Sequence, residues 1–281
     1  MFSVDVSTLK SYLVKIATIG AASYFGILAL VFFQQEKLIF FPSPLPEDFK
    51  FPFNISFEEI YIKSGDDRVH SLLLKAEQSR GVIVYFHGNA GSLEGWGEVG
   101  QTLSQQTGFD VWMIDYPGYG KSSGKISSQE QLLRIAEATL AQAKERYPTG
   151  NIILFGRSLG SGIAVYLGSD PRVKALILET PYLSLIAMAK HRFPLIPAFL
   201  MKYPMQSSEW IPKVSAPILI LHGNEDEVIP FTQGKELSAI SKKAVFVEIN
   251  RGHHNDLEEF PKFSDSIKGF LNQHTGSKDV R

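Results

Sequence analysis

A serine with glycine two residues to either side, Gly156-Arg157-Ser158-Leu159-Gly160, closes an apolar run at 152–155 and opens a helical stretch at 159–167. A serine on so sharp a strand-to-helix turn is held in a strained backbone conformation and pushed clear of the sheet. The chain beneath packs closely, so the positions two residues away must be small. Strain of about 1–3 kcal/mol persists only where the surroundings enforce it. The helix N-terminus adds partial positive charge beside the hydroxyl, which favours an oxyanion developing there. The pattern alone is weak, with odds of roughly one in six for a chance match in such a chain. Its weight comes from falling at a strand–helix junction and from the partners downstream. The bland alternative is a tight glycine turn with an ordinary N-cap serine. Ser161, one turn on, reads as helix packing.

A serine hydroxyl needs a base within hydrogen-bond reach and a third group that fixes the base. Where such an elbow sits on an α/β sheet, the acid and then the histidine follow it in the chain. Downstream, the run 218–221 leads into His222-Gly223-Asn224-Glu225-Asp226-Glu227-Val228-Ile229-Pro230. The run 245–249 leads into Asn250-Arg251-Gly252-His253-His254-Asn255-Asp256. Asp226 is the candidate acid, with Glu225 and Glu227 read as solvated loop charges. Glu179, ending the 175–178 run, is a second place from which an acid could reach the histidine. His253 and His254 compete for the role of base. His222 reads as structural, and His70, His191 and His274 as outside the chemistry.

The run 82–86 leads into His87-Gly88-Asn89-Ala90-Gly91-Ser92. A glycine-containing turn after this strand supplies one backbone N–H to an oxyanion, and the residue after the nucleophile supplies the other. That predicts Asn89 and Leu159 as donors, with Ala90 the alternative. No Lys-Ser/Thr pair follows, which argues against a phosphate-cradling loop. The turn Asp115-Tyr116-Pro117-Gly118-Tyr119-Gly120 reads as structural, with Tyr116 a candidate to line the pocket floor.

Positioning these groups needs a sheet. Segments 57–62 and 69–74 alternate with period two and are joined by a Gly65-Asp66-Asp67 turn. Short apolar runs follow at 82–86, 111–114, 152–155, 175–178, 218–221 and 245–249, as in strands buried on both faces of a parallel sheet. Segment 131–147 is helical, with Ser127 or Ser128 as N-cap, and Pro261 opens a last helix with Phe263, Ile267, Phe270 and Leu271 inward. This order predicts an α/β fold with an eight-stranded, mostly parallel, doubly wound sheet and helices on both faces. Ligands bind such sheets at the carboxyl ends of the strands. Residues 181–210, rich in Leu, Ile, Phe and Met, form a short insertion. It reads either as a cap that covers the serine and cradles an acyl chain, or as plain packing on the sheet.

The chain has 28 basic and 29 acidic residues, a net charge of -1, which gives no reason to expect nucleic acid as a partner. It has no cysteine, hence no disulfide framework and no thiolate nucleophile. Residues 16–33 carry no charge and are about long enough to cross a bilayer as a helix. Lys15 can snorkel to the interface, and Tyr12 lies where an interfacial aromatic would sit. The Gln34-Gln35-Glu36-Lys37 that follows does not resemble a cleavage site, which favours an uncleaved anchor over a signal peptide. Lys10 and Lys15 against Lys37 and Lys50 give a slight lean toward a non-cytoplasmic domain. The expected organisation is an anchor at 1–37, a Pro/Phe-rich connector at 38–56, a domain at 57–273 and a tail at 274–281. The connector aromatics are expected to pack on the domain.

The ordered set His87-Gly88-Asn89-Ala90-Gly91, Asp115 to Gly120, Gly156 to Gly160, His222-Gly223 with Asp226 and Pro230, and His254-Asn255-Asp256 resembles one branch of the α/β-hydrolase superfamily. These are small single-domain proteins with an N-terminal membrane anchor, and depalmitoylase-like members are among them. The stretch Glu36-Lys37-Leu38-Ile39-Phe40-Phe41-Pro42 is similar too, so the resemblance covers nearly the whole chain. It implies the α/β-hydrolase fold and hydrolysis of acyl esters or thioesters, lipids included. It also implies His254 as the catalytic histidine, because a His-Asn-Asp stretch usually carries it there. His253 departs from the glycine usual at its place. Members lipidated on an N-terminal cysteine cluster differ from this cysteine-free chain, so a protein-depalmitoylase role is not carried over. The expected triad is Ser158, Asp226 and His254, and this chemistry requires no metal or organic cofactor. A dehalogenase on the same fold needs aspartate at the elbow, which Ser158 excludes. The competing expectation is a catalytically silent membrane-anchored scaffold, which a broken triad geometry would favour.

Overall fold

The computed structural model describes residues 6–276; residues 1–5 of the expected anchor and 277–281 of the expected tail lie outside the described residues. The chain begins with the long helix α1 (Val6–Ile39), the short strand β1 (Phe41–Pro42) and the hairpin β2 (Phe57–Ser64) and β3 (Asp67–Leu74). Then come β4 (Gly81–Phe86), β5 (Ala90–Gly91), α2 (Leu93–Thr107), β6 (Asp110–Ile114), α3 (Gln129–Arg146) and β7 (Asn151–Arg157). The second half runs α4 (Leu159–Leu167), β8 (Val173–Glu179), α5 (Leu185–Arg192), α6 (Ser207–Trp210), β9 (Ile218–Gly223), α7 (Phe231–Ile240), β10 (Ala244–Ile249) and α8 (Pro261–Thr275).

Eight strands form one sheet in the order β10-β9-β8-β7-β4-β6-β3-β2. β3 runs antiparallel to both its neighbours, and the other pairs are parallel. Because successive strand side chains face opposite ways, β4 sends Val82, Val84 and Phe86 into one core layer and Ile83 and Tyr85 into the other. The first layer is closed by α3, α4 and α7 through Leu132, Leu140, Ile163 and Leu237. The second is closed by α2 and α8 through Leu93, Leu103 and the four residues expected inward, Phe263, Ile267, Phe270 and Leu271. Ser128 is the cap of α3, its hydroxyl accepting the Gln131 N–H at 3.1 Å. One strand departs from the sequence reading. β10 is not buried on both faces, because it lies at the sheet edge, and Val245 is 54% exposed.

The N-terminal segment is built into the domain at its far end. Residues 7–27 of α1 are exposed, whereas Leu28, Gln35 and, just beyond the helix, Phe40 are buried. The helix continues past position 37 to Ile39, and the chain then pairs β1 with β5 in parallel. Phe40 meets Tyr203 edge-on at 5.0 Å, and Phe51 stacks between Phe53 and His70. The connector aromatics Phe40 and Phe51 thus belong to the core, while Phe41 stays half exposed.

Candidate active site

The elbow is where β7 meets α4. Ser158 sits at φ 51° and ψ −117°, a left-handed conformation that a side chain rarely adopts. A Cβ on Gly156 would lie 2.5 Å from the Gly160 carbonyl oxygen, and one on Gly160 would lie 2.0 Å from the Phe86 carbonyl oxygen. Only glycine lets the turn close against itself and against the end of β4. The serine peptide is fixed on both sides: its N–H donates to the Glu179 carbonyl at 2.9 Å, and its carbonyl accepts the Ser161 N–H at 2.9 Å and the Ser161 hydroxyl at 2.6 Å.

Asp226 and His254 come from the loops after β9 and β10, neighbouring parallel strands whose ends are in register at Gly223 and Ile249. His254 Nδ1 lies 2.9 Å from Asp226 Oδ2, and its Nε2 lies 3.1 Å from Ser158 Oγ. The other carboxylate oxygen, Asp226 Oδ1, accepts the N–H groups of Val228 and Ile229 at 2.9 and 2.8 Å. A second histidine reaches the acid: buried His222 places Nε2 3.2 Å from Asp226 Oδ2 and 3.0 Å from the Ile229 carbonyl. A carbonyl can only accept, so His222 carries its proton on Nε2. Burial opposes ionisation of Asp226, but hydrogen bonds from His222 and His254, the His254 charge and the Ile229 N–H outweigh it. They hold the carboxyl well below the usual range. Against an ionised Asp226, His254 carries its proton on Nδ1, which leaves Nε2 free to accept the Ser158 hydroxyl.

The neighbouring candidates point elsewhere. His253 is exposed, with its ring nitrogens 3.6 and 3.4 Å from Glu225 and Glu227. Glu179 is buried against Arg157, with Nε 3.2 Å from Oε1, and not against His254. Burial pushes the Glu179 carboxyl up to about 7 despite that guanidinium. Arg157, itself buried, reaches the histidine loop: it donates to the His254 carbonyl and Asn255 Oδ1 at 3.3 Å each, and to Glu258 at 2.7 Å. His70 is buried between Glu59 and Asp115.

The loop after β4 lies beside the elbow. Leu159 opens α4, so its N–H has no acceptor within the helix. The Asn89 peptide is fixed through its carbonyl, which accepts the Tyr119 hydroxyl at 2.7 Å and the Phe41 N–H at 2.9 Å. The Asn89 side chain donates to the Ile39 carbonyl at 2.8 Å. Tyr116 does not line an open floor: it is buried, and its hydroxyl donates to the His87 carbonyl at 2.8 Å. The turn after β6 therefore serves the loop from beneath. Tyr119, Arg157 and the last turn of α1 are positioning groups that the sequence reading did not single out. His222, read as structural, touches the acid itself. The two ends of the insertion are fastened through the Tyr182 hydroxyl on the Leu159 carbonyl (3.0 Å), the Leu183 N–H on Gln233 (3.0 Å) and the Met205 N–H on Gln129 (2.7 Å).

A family model described as the alpha/beta hydrolase fold matches residues 81–206. Alpha/beta hydrolase domain-containing protein WAV2 of Arabidopsis thaliana is 31% identical over 261 residues, covering 82% of this chain and 84% of that one. Alpha/beta hydrolase domain-containing protein 17C of Homo sapiens is 31% identical over 210 residues, covering 73% of this chain and 63% of that one. Protein bem46 of Schizosaccharomyces pombe is 29% identical, covering 82% and 84%. Among solved structures, a Pyrococcus furiosus esterase superposes with a TM-score of 0.69 at 18% identity, over 85% of this chain and 99% of that one. A membrane phospholipase A superposes with a TM-score of 0.62 at 17% identity, over 97% and 100%. The chain belongs to the α/β-hydrolase superfamily. Fold and family together define a hydrolase.

Proposed function

We propose that the protein is a membrane-anchored serine hydrolase that cleaves acyl esters or thioesters. The observation that carries this reading is the unbroken chain Asp226–His254–Ser158, at 2.9 and 3.1 Å, ending on a strained serine. Ser158 Oγ attacks the acyl carbon as His254 Nε2 takes its proton, and Asp226 stabilises the imidazolium that forms. The Asn89 and Leu159 N–H groups hold the oxyanion. The C–O or C–S bond breaks as His254 returns the proton to the leaving group, which leaves an acyl-Ser158. Water then repeats the sequence, releasing a carboxylic acid and free Ser158. No metal or organic cofactor enters these steps.

The anchor reading rests on α1, whose residues 7–27 present Leu, Ile and Phe side chains outward. A detachable leader would not be fastened like this one: Gln35 is buried and the Ile39 carbonyl is bonded to Asn89. The protein described as a membrane phospholipase A, which superposes over 97% of this chain, supports a lipid-borne substrate. The test is labelling of the full-length protein by a fluorophosphonate. Labelling that disappears in Ser158→Ala is the expected result. A folded wild type that does not label would refute the reading and favour a silent scaffold.

A further inference from the structure

The insertion carries three exposed apolar side chains at its tip: Phe193 (57% exposed), Leu195 (77%) and Phe199 (85%). Large side chains so placed on the outside of a protein mark a contact with something apolar. The tip does not stand free of α1. The Tyr24 hydroxyl donates to the Leu195 carbonyl at 2.7 Å, Gln35 bridges the Leu200 carbonyl and the Lys202 N–H at 2.6 and 2.9 Å, and Lys202 lies 4.8 Å over the Phe32 ring. These contacts fix the register of the insertion along the helix.

That register sets the depth of the tip. A helix needs about 20 residues to cross the hydrocarbon core of a bilayer. The stretch of α1 ahead of Gln34 runs over 6–33, and every window of about 20 residues within it contains Tyr24. Wherever the helix sits, Leu195 is bonded to a residue inside the hydrocarbon. The tyrosine hydroxyl can tilt toward the nearer headgroups by one side-chain length, which draws the tip toward the hydrocarbon boundary. The tip is also suited to an apolar medium, where free backbone polar groups are costly. Pro194 and Pro197 have no N–H, and Phe193, Ile196, Leu200 and Met201 donate to carbonyls within the insertion. Lys190, His191 and Arg192, exposed in the last turn of α5, would then lie at headgroup level.

On the reading of α1 as a membrane span, we propose that the tip of the insertion, with Phe193, Leu195 and Phe199, is embedded in the leaflet from which α1 emerges. The bilayer is then a second docking surface of the catalytic domain, next to the insertion that begins at the end of β8 and touches Leu159 through Tyr182.

The chain has no cysteine, so single-cysteine variants can be labelled cleanly. Leu195→Cys, Phe199→Cys, Phe25→Cys in the exposed part of α1 and Lys174→Cys near the amino end of β8 would each carry an environment-sensitive fluorophore. Each full-length protein would be measured in phosphatidylcholine nanodiscs with and without bromine on the acyl chains, at one protein per disc. The expected result is that labels at 25, 195 and 199 are quenched by bromine several-fold more strongly than the label at 174. Quenching at 25 but not at 195 or 199 would overturn the proposal and leave the anchor standing. No quenching at 25 would remove the anchor, and the proposal with it. Blue-shifted but unquenched labels at 195 and 199 would mean burial against protein, which also overturns it.

Discussion

Replacing Asp226 by asparagine tests the triad where its geometry is most constrained. The carboxylate is held asymmetrically: Oδ1 accepts two backbone N–H groups, and Oδ2 faces both histidines. The substituted amide must keep its oxygen toward Val228 and Ile229, so its NH2 group turns toward His254 and His222. His222 retains the Ile229 carbonyl as acceptor. His254 has no such alternative. Its Nδ1–H would meet a donor, so the ring must move its proton to Nε2 and accept at Nδ1. Nε2–H then donates to Ser158 Oγ and can no longer take its proton. The same tautomer error in a chymotrypsin-type protease lowers kcat about 10⁴-fold, which corresponds to about 5.5 kcal/mol of transition-state stabilisation. We expect a loss of that order for Asp226→Asn in hydrolysis of a p-nitrophenyl ester at about pH 7, with partial recovery in alkali as hydroxide substitutes for the base. Stability should change with a definite sign. A carboxyl held below its ordinary 3.8 stabilises the fold above that pH, and the contribution is lost as pH falls through the depressed value. The variant should therefore be less stable than wild type at neutral pH, and the gap should close in acid. A folded variant that keeps activity within about tenfold of wild type would refute the assignment of Asp226.

Two further substitutions test the surroundings of the site. Asn89→Ala removes the side-chain bond to Ile39 but leaves the Tyr119 and Phe41 bonds on the Asn89 carbonyl. One net hydrogen bond of about 0.5–1.5 kcal/mol predicts a fall in kcat of about two- to tenfold with KM little changed, and a change in KM alone would contradict an oxyanion role. Glu179→Gln removes a titration: with its carboxyl pushed from an ordinary 4.5 up to about 7, the native state holds a proton that the unfolded chain has released. That stabilisation is full below 4.5 and is lost as pH rises through about 7. Thermal midpoints followed across that range should fall less in the variant than in wild type, and parallel curves would refute it.

The elbow was legible in the sequence because its constraint is local. Gly156 and Gly160 are required by contacts with each other, with Ser161 and with the end of β4. Six strands were legible because each is a short apolar run followed by a turn, and β2 and β3 because they alternate with period two around a glycine turn; β10 was misjudged because periodicity does not reveal which strand ends at an edge. Neighbouring His253 and His254 could not be separated from the residues themselves. What separates them is the path of the loop, held by Arg157 at the end of β7, three strands away in the sheet, through the His254 carbonyl. The contact between His222 and Asp226 was equally hidden, because it depends on how the loop folds back through Ile229. Tyr24 and Gln35 meet residues more than 160 positions away, and no local pattern announces such a meeting.

In the proposed reaction the two oxyanion donors belong to differently supported parts of the structure. Leu159 is fixed within the sheet and α4: the preceding serine peptide is bonded to Glu179 and Ser161, and Gly160 lies against Phe86. Asn89 lies on a loop whose supports are Tyr119 from one side and Ile39 and Phe41 from the other. Those last two residues flank Phe40, which packs on Tyr203, and Glu36 one turn earlier accepts the Tyr203 hydroxyl at 3.0 Å. The end of α1 therefore bonds to the Asn89 loop and to the insertion at once. A hydrogen bond weakens steeply as distance and angle drift from their optimum, so the distance between the two donors depends on how α1 is seated. The end of α1 and the candidate active site share one short stretch of backbone, so on the proposed anchor reading the geometry of the proposed reaction is tied to the seating of α1.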